Sequence, residues 1–178
     1  MKYEKRESGL IVPRGHFKAQ IIRGLESDYP MEDEEFEFDN ICVNEGLIFL
    51  LNTIFANQQN VSGWYMGVFT NNYTPVATDT AATLPGNAGE FTGYSGGARP
   101  TFSPASAAQP TPSISNANSR ASFTFTGSAN LVGAFLSSSP TPGGASGTLF
   151  SAAQFPSAKA VSNTDQLLLT YTLSASSS

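Results

Sequence analysis

Apolar and polar residues alternate in several short segments after residue 63, which is the pattern of β-strands whose two faces meet different surroundings. In the clearest segment, at the end of the chain, Leu167, Leu169 and Tyr171 share one face, while amide and hydroxyl side chains occupy the other. Further segments of this kind lie at 64–69, 121–126, 131–136 and 148–155. In 64–69 both faces are apolar, so we expect this strand to have apolar neighbours on both sides.

A single helix is predicted at about residues 44–56. Its large apolar residues recur with helical spacing and form one broad stripe: Leu47, Ile48, Leu50, Leu51, Ile54 and Phe55. Asn44 can cap this helix, and Glu45 suits its first turn. We expect the stripe to be buried across the end or face of a sheet, because the opposite side lacks the Lys and Arg of a membrane-binding helix.

These elements predict a mainly β fold, an antiparallel β-sandwich or jelly roll with one short helix and an extended N-terminal arm. We place the charged arm at residues 1–42 and the β domain at residues 43–178. Residues 1–45 carry 6 of the 9 basic and 11 of the 14 acidic side chains, so the rest of the chain is nearly uncharged. Small and hydroxyl residues dominate that part, which favours strands and turns over helices.

The segment 32–39 of the arm sets Phe36 and Phe38 among six carboxylates. A period of two places both rings on one face of a strand. One interpretation is a solvated acidic loop that closes with a short edge strand. The other is that the rings dock on a partner whose basic residues meet the carboxylates. A calcium loop is not indicated, because the Asp and Gly spacing that it requires is absent.

A long loop is predicted at about residues 85–118, where prolines and glycines are frequent. A structureless loop of this length inside one domain either argues against the assignment of a loop or marks a functional excursion, and we favour the excursion. Phe91, Tyr94 and Phe102 lie within it, and a solvated loop does not need such large apolar groups. We therefore expect neighbouring copies of the protein to order this loop in part.

No group of residues predicts catalysis, a metal or a cofactor. Cys42 and His16 are the only cysteine and histidine, too few for a disulfide within the chain or a zinc site. A serine triad would need His16, which lies in the charged arm. The few charged residues of the β domain are better explained as ion pairs and hydrogen bonds that fix loops: Asp79, Glu90, Asp165, Arg99 and Arg120.

The chain has 178 residues and a formal net charge of -5, which disfavours nucleic-acid binding. The longest apolar segment, 47–56, is interrupted by polar residues and is too short to cross a hydrocarbon layer about 30 Å thick. The first residues are charged, with no apolar stretch behind them to form a secretory signal. We expect a protein that is not secreted and has neither a nucleic-acid nor a membrane partner.

Several short segments follow one another in a recognisable order: Asn44-Glu45-Gly46-Leu47, 63–69, 79–82, Glu90 with Tyr94 and Arg99, 115–116, 123–125, 132–136, 148–151 and 165–173. Over roughly residues 40–175 this ordered set resembles a family of small virion structural proteins of tailed bacteriophages. The resemblance implies a non-enzymatic capsid decoration or cement protein of jelly-roll type, made in the host cytoplasm and located on the capsid exterior. Its implied partners are the major capsid protein and further copies of itself, in a homotrimer.

Under this hypothesis, large apolar side chains of the arm and the long loop bind partners: Phe17, Ile21, Ile22, Phe36, Phe38, Phe91, Tyr94 and Phe102. One alternative is a tail, collar or fibre component of the same kind of virion. Another is a carbohydrate-binding module in which aromatic side chains stack on sugars: Trp64, Tyr65, Tyr73 or Tyr94. A glycosidase that uses Asp79 and Glu90 is the remaining hypothesis, and we expect no such activity.

Overall fold

A computed structural model describes residues 11–29, 32–58, 60–108 and 110–177. Within these ranges the protein is mainly β, with two antiparallel sheets that enclose a common core. This confirms the predicted antiparallel β-sandwich with one short helix. That helix, α1, spans Asn44–Phe55, close to the predicted range, and the five-residue α2 spans Leu84–Ala88.

The first sheet has the strand order β2-β1-β11-β7, and β8 also pairs with β11. Its strands are β1 (Ile11–Ile22), β2 (Glu34–Asp39), β7 (Ser113–Ser115), β8 (Ala121–Thr124) and β11 (Gln166–Ser177). The pair β1–β11 is the backbone of this sheet, because it is in continuous register from Ile11 opposite Ser177 to Ile22 opposite Gln166.

The second sheet has the order β3-β10-β9-β4-β5, and β6 also pairs with β4. Its strands are β3 (Ile41–Cys42), β4 (Trp64–Phe69), β5 (Glu90–Phe91), β6 (Thr101–Phe102), β9 (Ala129–Ser137) and β10 (Leu149–Val161). The chain passes from the first sheet to the second at Asn40, between β2 and β3. This crossing closes one side of the sandwich.

The core between the sheets follows the predicted alternation. Phe17 and Ile21 of β1 and Leu167 and Tyr171 of β11 are fully buried. The rings of Phe17 and Tyr171 lie 4.7 Å apart between centroids. Burial of each such side chain contributes about 1.5–3 kcal/mol to folding.

Strand β4 is apolar on both sides, as predicted, because the second sheet is covered on both faces. Met66 and Val68 belong to the core between the sheets. Phe69 faces outward and packs in a second cluster with Phe135, to which the segment around α2 contributes Leu84. The second sheet is therefore packed on both of its faces, and α1 and α2 lie against it.

The prediction of an extended arm at residues 1–42 is wrong for the described part of that segment. β1 is an inner strand of the first sheet, and its polar side chains pair with the acidic strand β2 on the solvent side. The Lys18 ammonium lies 3.1 Å from a Glu35 carboxylate oxygen, and His16 Nδ1 lies 2.9 Å from Asp39 Oδ1. Residues 1–10 lie outside the described residues.

The predicted loop at 85–118 is also shorter than expected, because α2, β5, β6 and β7 all fall within it. The chain there is tied to both sheets: the backbone of Tyr94 forms a bridge with Phe125, and β7 extends the first sheet beside β11. Only part of the segment, including residues 103–108, remains exposed. The protein's own core, rather than a neighbouring copy, orders most of it.

Candidate binding surface

Helix α1 is buried against the rest of the protein at its smallest residue and at one aromatic ring. A Cβ atom added at Gly46 would lie only 2.5 Å from the carbonyl oxygen of Phe150 in β10. The Phe49 ring packs edge-on against Trp64, with 5.2 Å between ring centroids. Gly46 and Phe49 are the only buried residues of the helix.

The opposite side of α1 presents four large apolar side chains to solvent, which we call the apolar ridge: Ile48, Leu51, Ile54 and Phe55. They are 57%, 55%, 62% and 77% exposed. The prediction that the apolar stripe of α1 is buried against a sheet is therefore wrong for these four residues. A single protein rarely leaves so contiguous an apolar patch in water unless it serves binding.

An apolar groove runs beside the ridge, between α1 and the first sheet. Its volume is about 670 Å³. Leu47 and Leu50 form the wall on the α1 side, and Ile114 of β7 with Leu173 and Ala175 of β11 form the wall on the sheet side. Leu51, Ile54 and Phe55 of the ridge also line the groove, so this part of the ridge and the groove are one continuous surface.

Among the described residues, no charged side chain lines the groove, and Ile48 of the ridge borders a separate polar cleft beside Glu45 and Asp79. Glu45, the only ionisable residue of α1, points its carboxylate inward, where Oε2 accepts hydrogen bonds from the backbone N–H groups of Ala81 (2.8 Å) and Leu149 (2.7 Å). The acidic residues of β2 lie at the other edge of the first sheet, with β1 and β11 between them and β7. The arrangement is suited to apolar contact and not to recognition of a charged ligand.

A more polar cleft lies on the other side of α1, and its two carboxylates already accept hydrogen bonds from within the protein. Asp79, at its base, accepts from the Tyr73 hydroxyl at 2.7 Å and from the Val76 N–H at 2.8 Å. The bond to Asp79, followed by burial, raises the pKa of Tyr73. In the described ranges no group of three or more His, Cys, Asp or Glu side chains is placed to hold a metal ion.

Five of the eight residues predicted to bind partners lie in the core, so the structure contradicts that role for them. Their exposures are 0–6%: Phe17, Ile21, Phe38, Tyr94 and Phe102. Burial, followed by the charge of Glu90, raises the pKa of Tyr94 to about 12. A partner cannot reach side chains that pack inside the sandwich.

The other three, Ile22, Phe36 and Phe91, are partly buried. The Phe36 ring packs edge-on against Phe155 at 5.0 Å, and Phe91 packs near Phe125 at 6.0 Å. The acidic segment is thus an edge strand with its rings turned inward, which is the first of the two interpretations given above. Charged side chains along such an edge also oppose pairing with another sheet.

The ion pairs predicted to fix loops are present. Arg99 binds Glu90 through two hydrogen bonds of 2.7 Å, and both side chains are 1% exposed. Arg120 donates to Gln20 Oε1 at 2.7 Å. Since both Glu90 oxygens are engaged inside the protein, Glu90 is not accessible to a polysaccharide substrate.

The proposed sugar-stacking residue Trp64 is partly buried and packs against two rings. Phe49 covers one side at 5.2 Å and Phe150 another at 5.5 Å, both edge-on. Cys42 lies near Tyr171 and Asn40 at the crossing between the sheets, where burial raises the pKa of its thiol. Neither residue offers an open site.

The sequence contains a signal for the exposed ridge in the small residues on the other side of α1. Gly46 and Thr53 lie on the side of α1 opposite Leu51. A helix with small side chains on one side and large apolar side chains on the other can pack closely against a sheet through the side with the small side chains. The side with the large apolar side chains then remains exposed and can bind another partner.

Comparisons with known proteins supply no relative for this chain. In the described residues no helix is long and apolar enough to cross a membrane. No protein-family model matches the sequence. No curated protein matches it, and no solved structure matches its fold.

Proposed function

We propose that this protein is a non-enzymatic structural component of a tailed-bacteriophage virion, a capsid decoration or cement protein that binds the major capsid protein and other copies of itself. The observation that carries the proposal is the apolar ridge on α1, continuous with the apolar groove. The ordered resemblance to small virion structural proteins supplies the biological setting.

The distribution of charge agrees with this role. The β domain holds few ionisable groups, and Glu45, Asp79, Glu90 and Asp165 each accept hydrogen bonds from neighbouring loops or strands. Their polar atoms therefore serve the fold. Within residues 43–178, what remains exposed for function is largely apolar surface and hydroxyl-rich strand, which suits contact over an area with other proteins.

A binding experiment with shells tests the proposal. Particles that lack this protein are incubated with the purified chain, separated by sedimentation, and analysed by quantitative mass spectrometry. A decoration protein should saturate the shell at hundreds of copies for each particle. Bovine serum albumin, added in the same amount, controls for trapping in the pellet. Absence of saturable binding would contradict the proposal.

A tail, collar or fibre location is the second candidate in the same virion. It predicts roughly a dozen copies for each particle. Immunogold labelling distinguishes the two, because a decoration protein is labelled over the whole shell and a tail component at a single vertex. Since Trp64 packs against Phe49 and Phe150 and Tyr94 is buried, two of the four residues of the carbohydrate-binding alternative are engaged in the fold, and no contact among the described residues favours that alternative.

A further inference from the structure

We propose that the apolar ridge of one copy packs into the apolar groove of another, so that α1 is the interface through which this protein associates with itself. The inference refines the proposed function by naming the partner of this surface. It is tested in solution, where no viral shell is needed.

The shape of the surface is the first argument. The ridge is convex and the groove beside it is concave, and both are apolar. Leu51, Ile54 and Phe55 belong to the ridge and also line one side of the groove. A ridge cannot enter the groove of its own chain, but the ridge of a second copy can. Where two copies exchange this contact about a twofold axis, the oligomer is closed and each copy contributes the same two surfaces.

The charge pattern is the second argument. Two copies always bring identical charges, so a contact between them is favourable only where charges are absent or self-complementary. In the described part of the chain the groove lining carries none, and where Ile48 of the ridge borders the polar cleft, the carboxylates of Glu45 and Asp79 accept hydrogen bonds from within the chain. The acidic strand β2 lies at the far edge of the first sheet, away from the contact.

The same pattern disfavours other partners. A charged protein would find no opposite charge on this surface. A membrane-bound amphipathic helix carries Lys and Arg on its polar face, and α1 has neither. A second copy is the occupant whose chemistry matches the surface without any further group.

The size of the surface is consistent with the centre of a protein interface. Thirteen residues line the groove, and a standard interface involves roughly 20–30 residues on each side. The neighbouring loop 103–108, which is exposed and rich in serine and alanine, is placed to form part of the polar rim.

Residues 1–10 of the same chain are the competing occupant. They precede β1, and Pro13 of β1 lines the groove. Five of the ten residues are charged: Lys2, Glu4, Lys5, Arg6 and Glu7. Burial of these charges against an apolar wall without partners is unfavourable, so a second copy fits better.

Sedimentation velocity and light scattering of the full chain over about a hundredfold range of concentration test the inference. We expect an oligomer of defined size. Leu51→Glu and Phe55→Glu should each weaken association at least about tenfold and shift the chain toward monomer. Leu51→Met, which keeps the apolar surface, should associate like the natural chain.

Leu25→Glu is the matched control. Leu25 is 95% exposed and follows the end of β1 that is remote from Pro13. It introduces the same charge away from the groove and should leave the oligomer intact. Glutamate is a good helix former, and circular dichroism with urea unfolding verifies that the α1 variants are folded.

A chain that is monomeric at the highest concentration would overturn the inference, as would an oligomer that neither ridge substitution weakens. A chain that associates only after deletion of residues 1–10 would overturn it too, since the groove is then filled from within. Failure of the proposed function looks different, because a ridge-dependent oligomer that does not bind shells would leave this interface standing.

Discussion

The ion pair between Glu90 and Arg99 joins two loops at one end of the second sheet. Arg99 Nη1 also donates to the Ser139 carbonyl at 2.9 Å, and Glu90 Oε2 accepts from the Gly143 N–H at 2.7 Å. The guanidinium lies over the Phe135 ring. Two charges withdrawn from water in this way depend on each other, because each one alone would be buried without compensation.

Arg99→Met should therefore destabilise the protein by about 3–5 kcal/mol, since it leaves the Glu90 carboxylate buried and unpaired. Adding Glu90→Leu removes that orphaned charge, so the double variant should be more stable than the single arginine variant. Urea unfolding of both single variants and of the double variant measures the coupling. Additive losses would show that the two side chains act independently.

Asp165 anchors the turn before β11 to the end of β1. Its carboxylate accepts from the Gly24 N–H at 2.8 Å, from the Ser162 N–H at 3.0 Å and from Arg23 Nη1 at 2.9 Å. Burial raises the pKa of this carboxyl group, but these hydrogen bonds, with one from Ser27, outweigh burial and hold the pKa of Asp165 below its ordinary value.

A folded-state pKa below the unfolded value means that Asp165 stabilises the protein above about pH 4 and loses this effect as the pH falls through its folded pKa. Asp165→Asn should be destabilising at pH 7 by about 3 kcal/mol, because Arg23 loses the nearer of its two charged partners, the other being Glu34 at 3.8 Å. The difference from the natural chain should shrink in acid, as urea unfolding at several pH values can measure. Asp28→Asn, at an exposed position nearby, controls for the change in net charge. A difference that does not depend on pH would contradict this account.

At the scale of single elements, close packing at a glycine places the small side of α1 against the sheet and leaves most of its large apolar side chains exposed. Gly46 allows the α1 backbone to lie directly on Phe150, while the larger residues are directed away from the sheet. Gly86 in α2 is a matched position, because nothing lies within 4 Å of a Cβ added there. Alanine substitutions at these two helical glycines therefore distinguish the effect of a steric clash from the effect of helix propensity on stability.

Alanine favours a helix over glycine by about 1 kcal/mol. Gly86→Ala should therefore be neutral or slightly stabilising. Gly46→Ala should be destabilising by roughly 1–3 kcal/mol, because its Cβ forces α1 away from β10. Urea unfolding compares the two variants. Equal effects would mean that the contact between α1 and Phe150 is not tight.

The position of α1 could be predicted from sequence, but the direction of its apolar side could not. Helical spacing at Leu47, Leu51 and Ile54 identifies a helix with one apolar side. It carries no information on whether the surface that covers this side belongs to the same chain. The error about burial follows from assuming a partner within the monomer.

At the scale of the whole molecule, the strands of the β domain were predictable because one face of each is buried. The same period of two was present in β1, where Gly15, Phe17, Ala19 and Ile21 alternate with polar residues. The polar side chains of Lys18 and His16 suggested an arm. They pair with acidic side chains of β2, which lies next to β1 only in the folded protein, and that pairing of distant residues is not visible in local composition.

Removal of residues 1–40 should for this reason prevent the β domain from folding. The deletion takes away β1, the inner partner of β11 along its whole length, and with it the buried side chains of Phe17, Ala19 and Ile21. It also exposes the edge of β11 and the core beneath. A free arm predicts the opposite, namely a truncated chain with a native β domain.

Near-ultraviolet circular dichroism and hydrogen exchange of the truncated chain distinguish the two outcomes. We expect loss of the aromatic signal and of amide protection in β11. Deletion of residues 1–10 is the matched control, because it stops before Ile11 and removes no strand of the described sandwich. A protected β11 after removal of residues 1–40 would show that β1 is dispensable and that the first sheet is complete without it. The expected result instead makes β1 part of the domain itself, so loss of shell binding in that long deletion could not be assigned to an attachment arm.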